Sequence, residues 1–330
     1  RFWVVLAFGT AFAPARQNIG MLRHYFLYFI RNIKRQKAFS FIILLGLTVS
    51  LSSALLIYLY VDHEFSYDRF HEGADRIYRI NQTFIWGDNS DHQFASTGPG
   101  VAYAIQQDVP EAELITSIHP PGNLILTYSS HSEVRAFEED RVLVADTNFF
   151  RMFNFELVKG DRNTVLRHAN TMVMTESAAR KYFGDDDAIG KQVRITGSNN
   201  PDQTFEVTGV VKDLPDNSYF DFDILLSMKS IPIERLYWSW IWTQLETYVR
   251  FRGDANMEVV TERLRHIPRK HAEETLQRVM NTTFDEYVKS GKTWELFLQP
   301  LVEIHLPRET VFNRLNDASS RKTVYSLAGA

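Results

Sequence analysis

One uninterrupted apolar run, Ala38–Val61, limits this chain more than any other feature. AFSFIILLGLTVSLSSALLIYLYV contains no charged residue. At a rise of ~1.5 Å per residue it makes a helix of roughly 36 Å, enough for a hydrocarbon core of about 30 Å with some tilt. A helix that is apolar on every side has no face to offer water. A signal-peptide core spans only about 7–15 residues and ends in a small-residue cleavage site. This run is longer and ends in Tyr58, Leu59, Tyr60 and Val61, an aromatic edge suited to a membrane interface. It predicts a transmembrane helix over 38–61.

The flanks set its direction. Arg23, Arg31, Lys34, Arg35 and Lys37 precede the run without a carboxylate among them, and Asp62, Glu64 and Asp68 follow it. Basic side chains are retained on the cytoplasmic side, so the N-terminus is expected inside and everything after Val61 outside. The net charge is −4; the first 37 residues carry seven basic and no acidic side chains, which leaves −11 beyond them. An acidic outer part behind a basic collar argues against a nucleic-acid partner. Met21–Lys37 reads as an amphipathic helix at the inner membrane face, with Tyr25, Phe26, Phe29, Ile30 and Ile33 at helical spacing. Its other reading is the first turns of the membrane helix itself. Residues 1–20 are set apart as an N-terminal extension: Phe2–Ala13 is too short to span, and Met21 is one candidate start. Within the run, Gly46, Ser50 and Ser53 share one face at a spacing suited to close packing against a partner helix.

Roughly 270 residues lie beyond the run, more than one compact core usually holds, so two subdomains are expected. The chain has no cysteine, which removes disulfide staples, zinc–thiolate sites and thiol nucleophiles together. Arg76–Phe84 alternates polar and apolar positions like a strand. Gly98-Pro99-Gly100 reads as a turn opening a helix to about Gln107, and Ile115–His119 as a second strand. Strands are expected at Asn123–Ser129, Glu133–Ala145, Thr171–Met174, Lys191–Thr196 and Thr204–Lys212. A short helix, Glu176–Tyr182, has Thr175 as its N-cap and Gly184 past its end. Further on, Phe222–Ser227 and Thr247–Phe251 read as strands and Leu296–Ile304 as a closing strand. Glu258–His271 reads as an amphipathic helix with Val259, Leu264 and Ile267 inward. Two α/β sections flanking a β-rich one suggest an insertion.

No arrangement of side chains points to catalysis. Asp185-Asp186-Asp187 lacks the spaced ligands and closing Glu of a calcium loop and reads as a solvated turn. His63 and His71 lie near Glu64 and Glu72 without H-E-x-x-H spacing. No G-x-S-x-G, phosphate-binding or dinucleotide glycine pattern occurs. The expectation is no enzyme, no cofactor and no metal. The block Tyr237, Trp238, Trp240 and Trp242 has two readings, alternate core rings or an exposed patch that docks a partner or a membrane surface.

Three segments carry a resemblance: YDRFHEGADRIYRI (Tyr67–Ile80), MTESAARKYFGDDDAIGKQV (Met174–Val193) and VVKDLPDNSYFDFDILLSM (Val210–Met228). In that order, behind a basic collar and one membrane helix, the chain resembles the N-terminal half of FtsX-like ABC transporter permeases with a MacB-type periplasmic core domain, especially the versions common in Bacteroidota. The resemblance covers nearly all of Met21–Ala330. It implies an α+β fold: one N-terminal transmembrane helix, then a periplasmic domain with a split porter-like α/β subdomain (62–118 and 222–315) around an inserted β-rich sabre-like subdomain (119–221). It also implies that 316–330 approaches a second transmembrane helix.

The function this implies is that of an inner-membrane permease subunit, in an exporter or mechanotransmission system, moved by a separate cytoplasmic ATPase. The implied partners are membrane lipid, that ATPase, a second permease in a homo- or heterodimer, and a periplasmic adaptor. Arg31, Lys34, Arg35 and Lys37 would form the collar facing headgroups and ATPase. Rival readings are a single-span periplasmic sensor or binding module, and an FtsX-like regulator of cell-wall hydrolases.

Overall fold

The structure, a computed structural model, describes residues 25, 27–31, 34–84, 93–130, 133–197, 200–309, 311–315 and 318–328. The chain divides between Tyr60 and Val61 into two compact units. Helix α1 (Lys37–Phe65) begins in the first and gives its last turn to the second. Among the described residues it is the one helix long and apolar enough to cross a membrane, with a mean hydropathy of 2.3 and none of that stretch buried. It runs past the apolar stretch because Asp62, His63 and Glu64 continue the intrahelical hydrogen bonding. The apolar stretch ends at Val61, and the helix ends later, at Phe65. The collar residues Arg31, Lys34, Arg35 and Lys37 are helical and exposed. The start of the amphipathic helix expected over Met21–Lys37, Arg23 included, lies outside the described residues, as does the extension 1–20.

The second unit has the α+β architecture that the sequence implies. Its first section holds β1 (Ile77–Phe84), β2 (Gln93–Phe94), β3 (Ser96–Thr97), α2 (Pro99–Asp108) and β4 (Ala112–His119). The middle section holds β5 (Leu124–Ser129), β6 (Val134–Glu139), β7 (Val142–Ala145), the helical turn α3 (Phe149–Met152), β8 (Leu157–Lys159), β9 (Thr171–Thr175), α4 (Glu176–Phe183), β10 (Gln192–Gly197), β11 (Asn200–Val211) and β12 (Ile224–Ser227). The last section holds β13 (Leu245–Phe251), α5 (Met257–His271), α6 (Glu273–Met280), α7 (Phe284–Lys289), β14 (Trp294–Pro300), β15 (Val311–Phe312) and α8 (Arg321–Ala328).

These strands join one sheet in the order β15-β2-β1-β13-β4-β7-β12-β9-β11-β10-β5-β6, with β14 paired to β1. The two halves of that path meet at β4 and β7 through two residue pairs, Ile118–Ala145 and His119–Val144. Strand β12 runs parallel to β7 and antiparallel to β9, so it lies among strands of the middle section.

Local chemistry explains most boundaries. Thr175 Oγ1 accepts the amide proton of Ala178 at 3.2 Å and starts α4, and Gly184 closes it with φ 64°. Thr283 and Glu286 form a reciprocal capping box on α7. Three expectations need correcting. The strand expected over Glu133–Ala145 is two strands, β6 and β7, broken at Asp140 and Arg141 and set apart in the sheet. In α5 the inward residues are Val260, Leu264 and Ile267, while Val259 is 46 % exposed. Positions 260, 264 and 267 share a face at i, i+4 and i+7, and Val259 sits about 100° off it. The closing strand β14 stops at Pro300, and Leu301–Glu303 is a 3-10 turn. Proline has no N–H for the ladder, which favours a strand end there.

Three apolar clusters fill the unit. One packs α2, α5, α6 and α7 on β1, β13 and β14; another packs α4 on the middle strands. Between them an aromatic cluster gathers Phe149, Phe150, Phe153, Phe155, Phe220 and Phe222. Phe149 meets Phe150 edge-on at 5.2 Å and Phe153 lies 4.5 Å from Phe220, within the range of favourable ring pairs. The Gly98-Pro99-Gly100 segment does more than turn the chain, because its backbone lies directly against Trp240. A Cβ on Gly100 would fall 2.5 Å from Trp240 Nε1 and 2.6 Å from Tyr237 O. Gly100→Ala is therefore expected to cost ~1–3 kcal/mol through displacement of a fully packed indole. A fall in the denaturant midpoint of the chain in detergent micelles checks this, and an unchanged midpoint contradicts it.

Candidate functional site

Immediately after α1 the chain enters a set of contacts that joins three distant stretches of the second unit. Glu64, in the last turn of α1, lies 2.9 Å from His305 Nε2, whose N–H donates to the carboxylate. Tyr67 stacks on the same imidazole, with ring centroids 3.4 Å apart and planes parallel to within 1°. The His305 carbonyl accepts the Ser319 amide at 2.8 Å, and the Phe65 and Tyr325 rings meet edge-on at 5.6 Å. The stretch that leaves α1 and the stretch that leads into α8 are thus side by side.

A second set of contacts ties the same turn to the loop before β12. Asp68 takes a left-handed backbone conformation, φ 56°, which short polar side chains tolerate. Its amide donates to Asn217 O, and its Oδ1 accepts from Tyr219 N, both at 3.0 Å. Asn217 Nδ2 donates back to Ser66 Oγ at 3.0 Å. His71 Nδ1 accepts from Asn154 N at 3.0 Å, while Asn154 Oδ1 accepts from Glu72 N at 2.9 Å.

Asp68 and His71 are both buried, and each keeps one polar atom unpartnered, Asp68 Oδ2 and His71 Nε2. His71 Nε2 lies 3.8 Å from Asp68 Oδ1, beyond hydrogen-bonding distance. Rings of Phe70, Phe153 and Phe155 surround the imidazole. Burial disfavours charge on both groups: it raises the Asp68 carboxyl to about 7, against the Tyr219 amide, and lowers His71 to about 3.

Behind this turn sits a buried ion pair. Arg79, on β1, is 0 % exposed and 3.3 Å from Glu246 on β13. Its Nη1 also donates to Tyr219 OH at 3.1 Å, Nη2 to Gln299 and Asn313 at 2.8 and 2.7 Å, and Nε to Asn81 at 3.1 Å. Glu246 accepts further from Tyr248 OH at 2.7 Å and from the amides of Arg314 and Leu315 at 3.2 and 3.3 Å. Burial works against the guanidinium charge, but Glu246 and the two tyrosines outweigh it and hold Arg79 above its ordinary range. Such a pair tolerates burial because every polar atom has a partner.

The other sequence-flagged residues are dispersed. Gly46, Ser50 and Ser53 lie on one exposed face of α1, and a Cβ on Gly46 would meet nothing within 4 Å. The aromatic block splits. Trp240 is 1 % exposed and packs edge-on against Trp294 at 5.9 Å. Tyr237 is 39 % exposed and stacks on Tyr103 at 5.3 Å. Arg278 covers Trp238 at 4.9 Å, and Trp242 tilts against His119 at 5.6 Å. Of the aspartate triplet, Asp187 accepts from Lys159 Nζ at 2.9 Å and Asp186 from Lys191 Nζ at 3.3 Å. Among the described residues no group of three or more His, Cys, Asp or Glu side chains is positioned to hold a metal.

Sequence reasoning missed Asp68, His71, Arg79, Asn217, Tyr219 and His305 as members of a site. A signal was present, since five of the six fall in two of the three segments that carried the resemblance. The structure brings those two segments into contact.

The family profile of the MacB-like periplasmic core domain matches residues 40–267. The crystal structure of a domain assigned to a permease protein from Porphyromonas gingivalis aligns over 78 % of this chain and 99 % of its own, at 28 % identity and a TM-score of 0.57. The periplasmic region of MacB from Actinobacillus actinomycetemcomitans aligns over 72 % and 95 %, at 14 % identity and a TM-score of 0.44. The extracellular domain of the ABC-type transporter YknZ from Gram-positive bacteria aligns over 66 % and 99 %, at 14 % and 0.37. No curated protein matches the chain.

The Asp68–His71 pair generates a pH prediction. The unfolded groups titrate near 3.8 and 6.5, the folded ones near 7 and 3. Between pH ~4 and ~6.5 both states therefore hold one proton on the pair, on His71 when unfolded and on Asp68 when folded. The opposite slopes cancel. Asp68→Asn removes one side and leaves His71, whose stabilising contribution is present above pH ~6.5 and lost as pH falls toward 3. That variant should lose ~2–3 kcal/mol relative to the parent between pH 6.5 and 4.5. His71→Gln leaves Asp68, whose contribution is present below pH ~4 and lost as pH rises through 7, so its stability should slope the other way. Denaturant midpoints across this range are the measurement. Identical slopes for all three proteins would show that the pair does not titrate as its burial requires.

Proposed function

This chain belongs to the MacB-like periplasmic core domain family, and on that footing we propose that it is part of an ABC-type permease subunit whose periplasmic domain is moved by a separate cytoplasmic ATPase. One observation carries the reading above the others. The stretch leaving α1 and the stretch leading into α8 meet through Glu64–His305, Ser319–His305 and Phe65–Tyr325. A domain inserted between two membrane spans must take the chain in and return it at one membrane face, and these contacts meet that need.

In this reading the N-terminus is cytoplasmic, residues 62 to about 316 are periplasmic, and 316–330 leads to a second span of a multi-pass protein. A porter-like subdomain (62–118 and 222–315) is split around a sabre-like one (119–221), with β12 lent by the later segment to the inserted strands. Gly46, Ser50 and Ser53 pack against a partner permease helix, as small residues do in lipid. The collar Arg31, Lys34, Arg35 and Lys37 meets anionic headgroups, at ~1 kcal/mol per residue, and acidic groups on the ATPase. Tyr237, Trp238 and Trp242 are the rings left to meet a periplasmic adaptor, since Trp240 is enclosed.

Topology is testable because the chain has no cysteine of its own. Single cysteines at exposed Asp140 and Asp254 should react with an impermeant thiol reagent admitted to the periplasm of intact cells, and one at Gln36 should not. Labelling of Gln36→Cys alone would reverse the orientation. Coupling is tested by the triple reversal Arg31→Glu, Lys34→Glu, Arg35→Glu in the full-length complex. A correctly inserted triple variant should hydrolyse ATP without driving transport; transport at the parental rate reduces the collar to a topogenic signal.

A further inference from the structure

The middle strands carry a cavity that the permease reading does not use. It measures about 380 Å³, within the size range of small-molecule sites. Val144, Ile195, Phe205 and Leu226 line it from the sheet, and Ile231 and Trp242 from the segment between β12 and β13. It is a concave cleft open on one side, the form that small-molecule sites take. Apolar walls make it a poor container for water, which needs two to four polar partners at each position.

Its polar lining is His119, Gln203, Ser227 and Ser230, and the Ser227 hydroxyl is already committed to Leu166 O at 2.9 Å. His119 Nδ1 lies 2.9 Å from Gln244 O, and because a carbonyl only accepts, the proton of the neutral ring sits on Nδ1. Nε2 is then an acceptor. Burial lowers the basicity of this imidazole, against the Gln244 contact, so the ring is uncharged at neutral pH. Ser230 Oγ accepts from Asn170 N at 2.9 Å and keeps its own proton to donate. Among the described residues, no Asp, Glu, Lys or Arg lines the cavity. A charged ligand would be desolvated here without a counter-charge, at a large cost.

We propose that this cavity binds a small uncharged ligand with an apolar body and a single hydroxyl or amide group, whose proton His119 Nε2 accepts. The ring of Trp242, tilted against His119, forms the wall beside that polar contact. The site is independent of the permease reading and would stand if that reading failed.

The probe is para-fluorophenol, with para-fluoroanisole as a partner of similar shape that lacks the donor, each followed by fluorine NMR. The full chain is used in lipid nanodiscs, and empty nanodiscs set the partition background. Saturable binding of one para-fluorophenol per chain is expected, with para-fluoroanisole about tenfold weaker, the size of one lost hydrogen bond. In His119→Phe the two probes should bind alike. Ile231→Trp, which fills the space from its rim, should remove saturable binding. Phenol signals equal to those of empty discs, equal binding of the two probes to the parent chain, or binding untouched by Ile231→Trp would each overturn the assignment. The comparison of the two probes on the unaltered chain stands even where a variant fails to fold.

Discussion

Much of the second unit is arranged around one buried guanidinium. Arg79 is wholly enclosed, so all its donors must find acceptors inside the protein. They find them on β1 (Asn81), β13 (Glu246), β14 (Gln299), the loop before β12 (Tyr219) and the stretch after β15 (Asn313). These groups span residues 79 to 313 and come from every section of the unit except the inserted hairpins. Breaking one side of such a pair leaves an uncompensated buried charge, at ~3–5 kcal/mol. The network therefore fixes the register of β1, β13 and β14 by side chains as well as by backbone ladders.

This constraint also reaches the turn that follows α1. Tyr219 is bound twice, through its hydroxyl to Arg79 and through its amide to Asp68. Asp68 and His71 in turn are held by Asn217 and Asn154. A displacement of the turn would act on the loop before β12 and on the ion pair through bonded contacts of about 3 Å, without passing through flexible side chains. Because folding shifts the proton from His71 to Asp68, the pair is neutral when enclosed and doubly charged when opened between pH ~4 and ~6.5. Exposure of the turn in that range would create two charges where there were none.

The periodic part of this fold was legible in the sequence. The long apolar run without charge read as a membrane helix, and the Thr175 cap acts within three residues of itself. The site was less legible for a physical reason. RIYRINQTF alternates polar and apolar positions, the usual sign of a strand with one wet face, yet β1 is buried on both sides. Its polar face is covered by Gln299, Glu246 and Asn313, residues more than 160 positions away, and no local pattern encodes such a pairing. Val259 was misassigned for the opposite reason: a one-residue error of phase in a helix turns a side chain by about 100°. His305, remote from the motifs, became visible only when the stretch before α8 was seen to fold back on α1.

What holds the two halves of the sheet together is not mainly the sheet. Its path crosses from β4 to β7 through two residue pairs, whereas β4 and β13 share six. The aromatic cluster spans that crossing, with Ile118 and Tyr248 from one side and Val173 and Leu225 from the other. Packed rings resist shear because any slide opens voids that forfeit dispersion contacts on both sides. Phe153 and Phe155 belong to this cluster and also enclose His71. The rings that lock one half of the sheet to the other are therefore the same rings that keep the turn after α1 dry. A shear between the halves and a hydration of that turn would have to occur together.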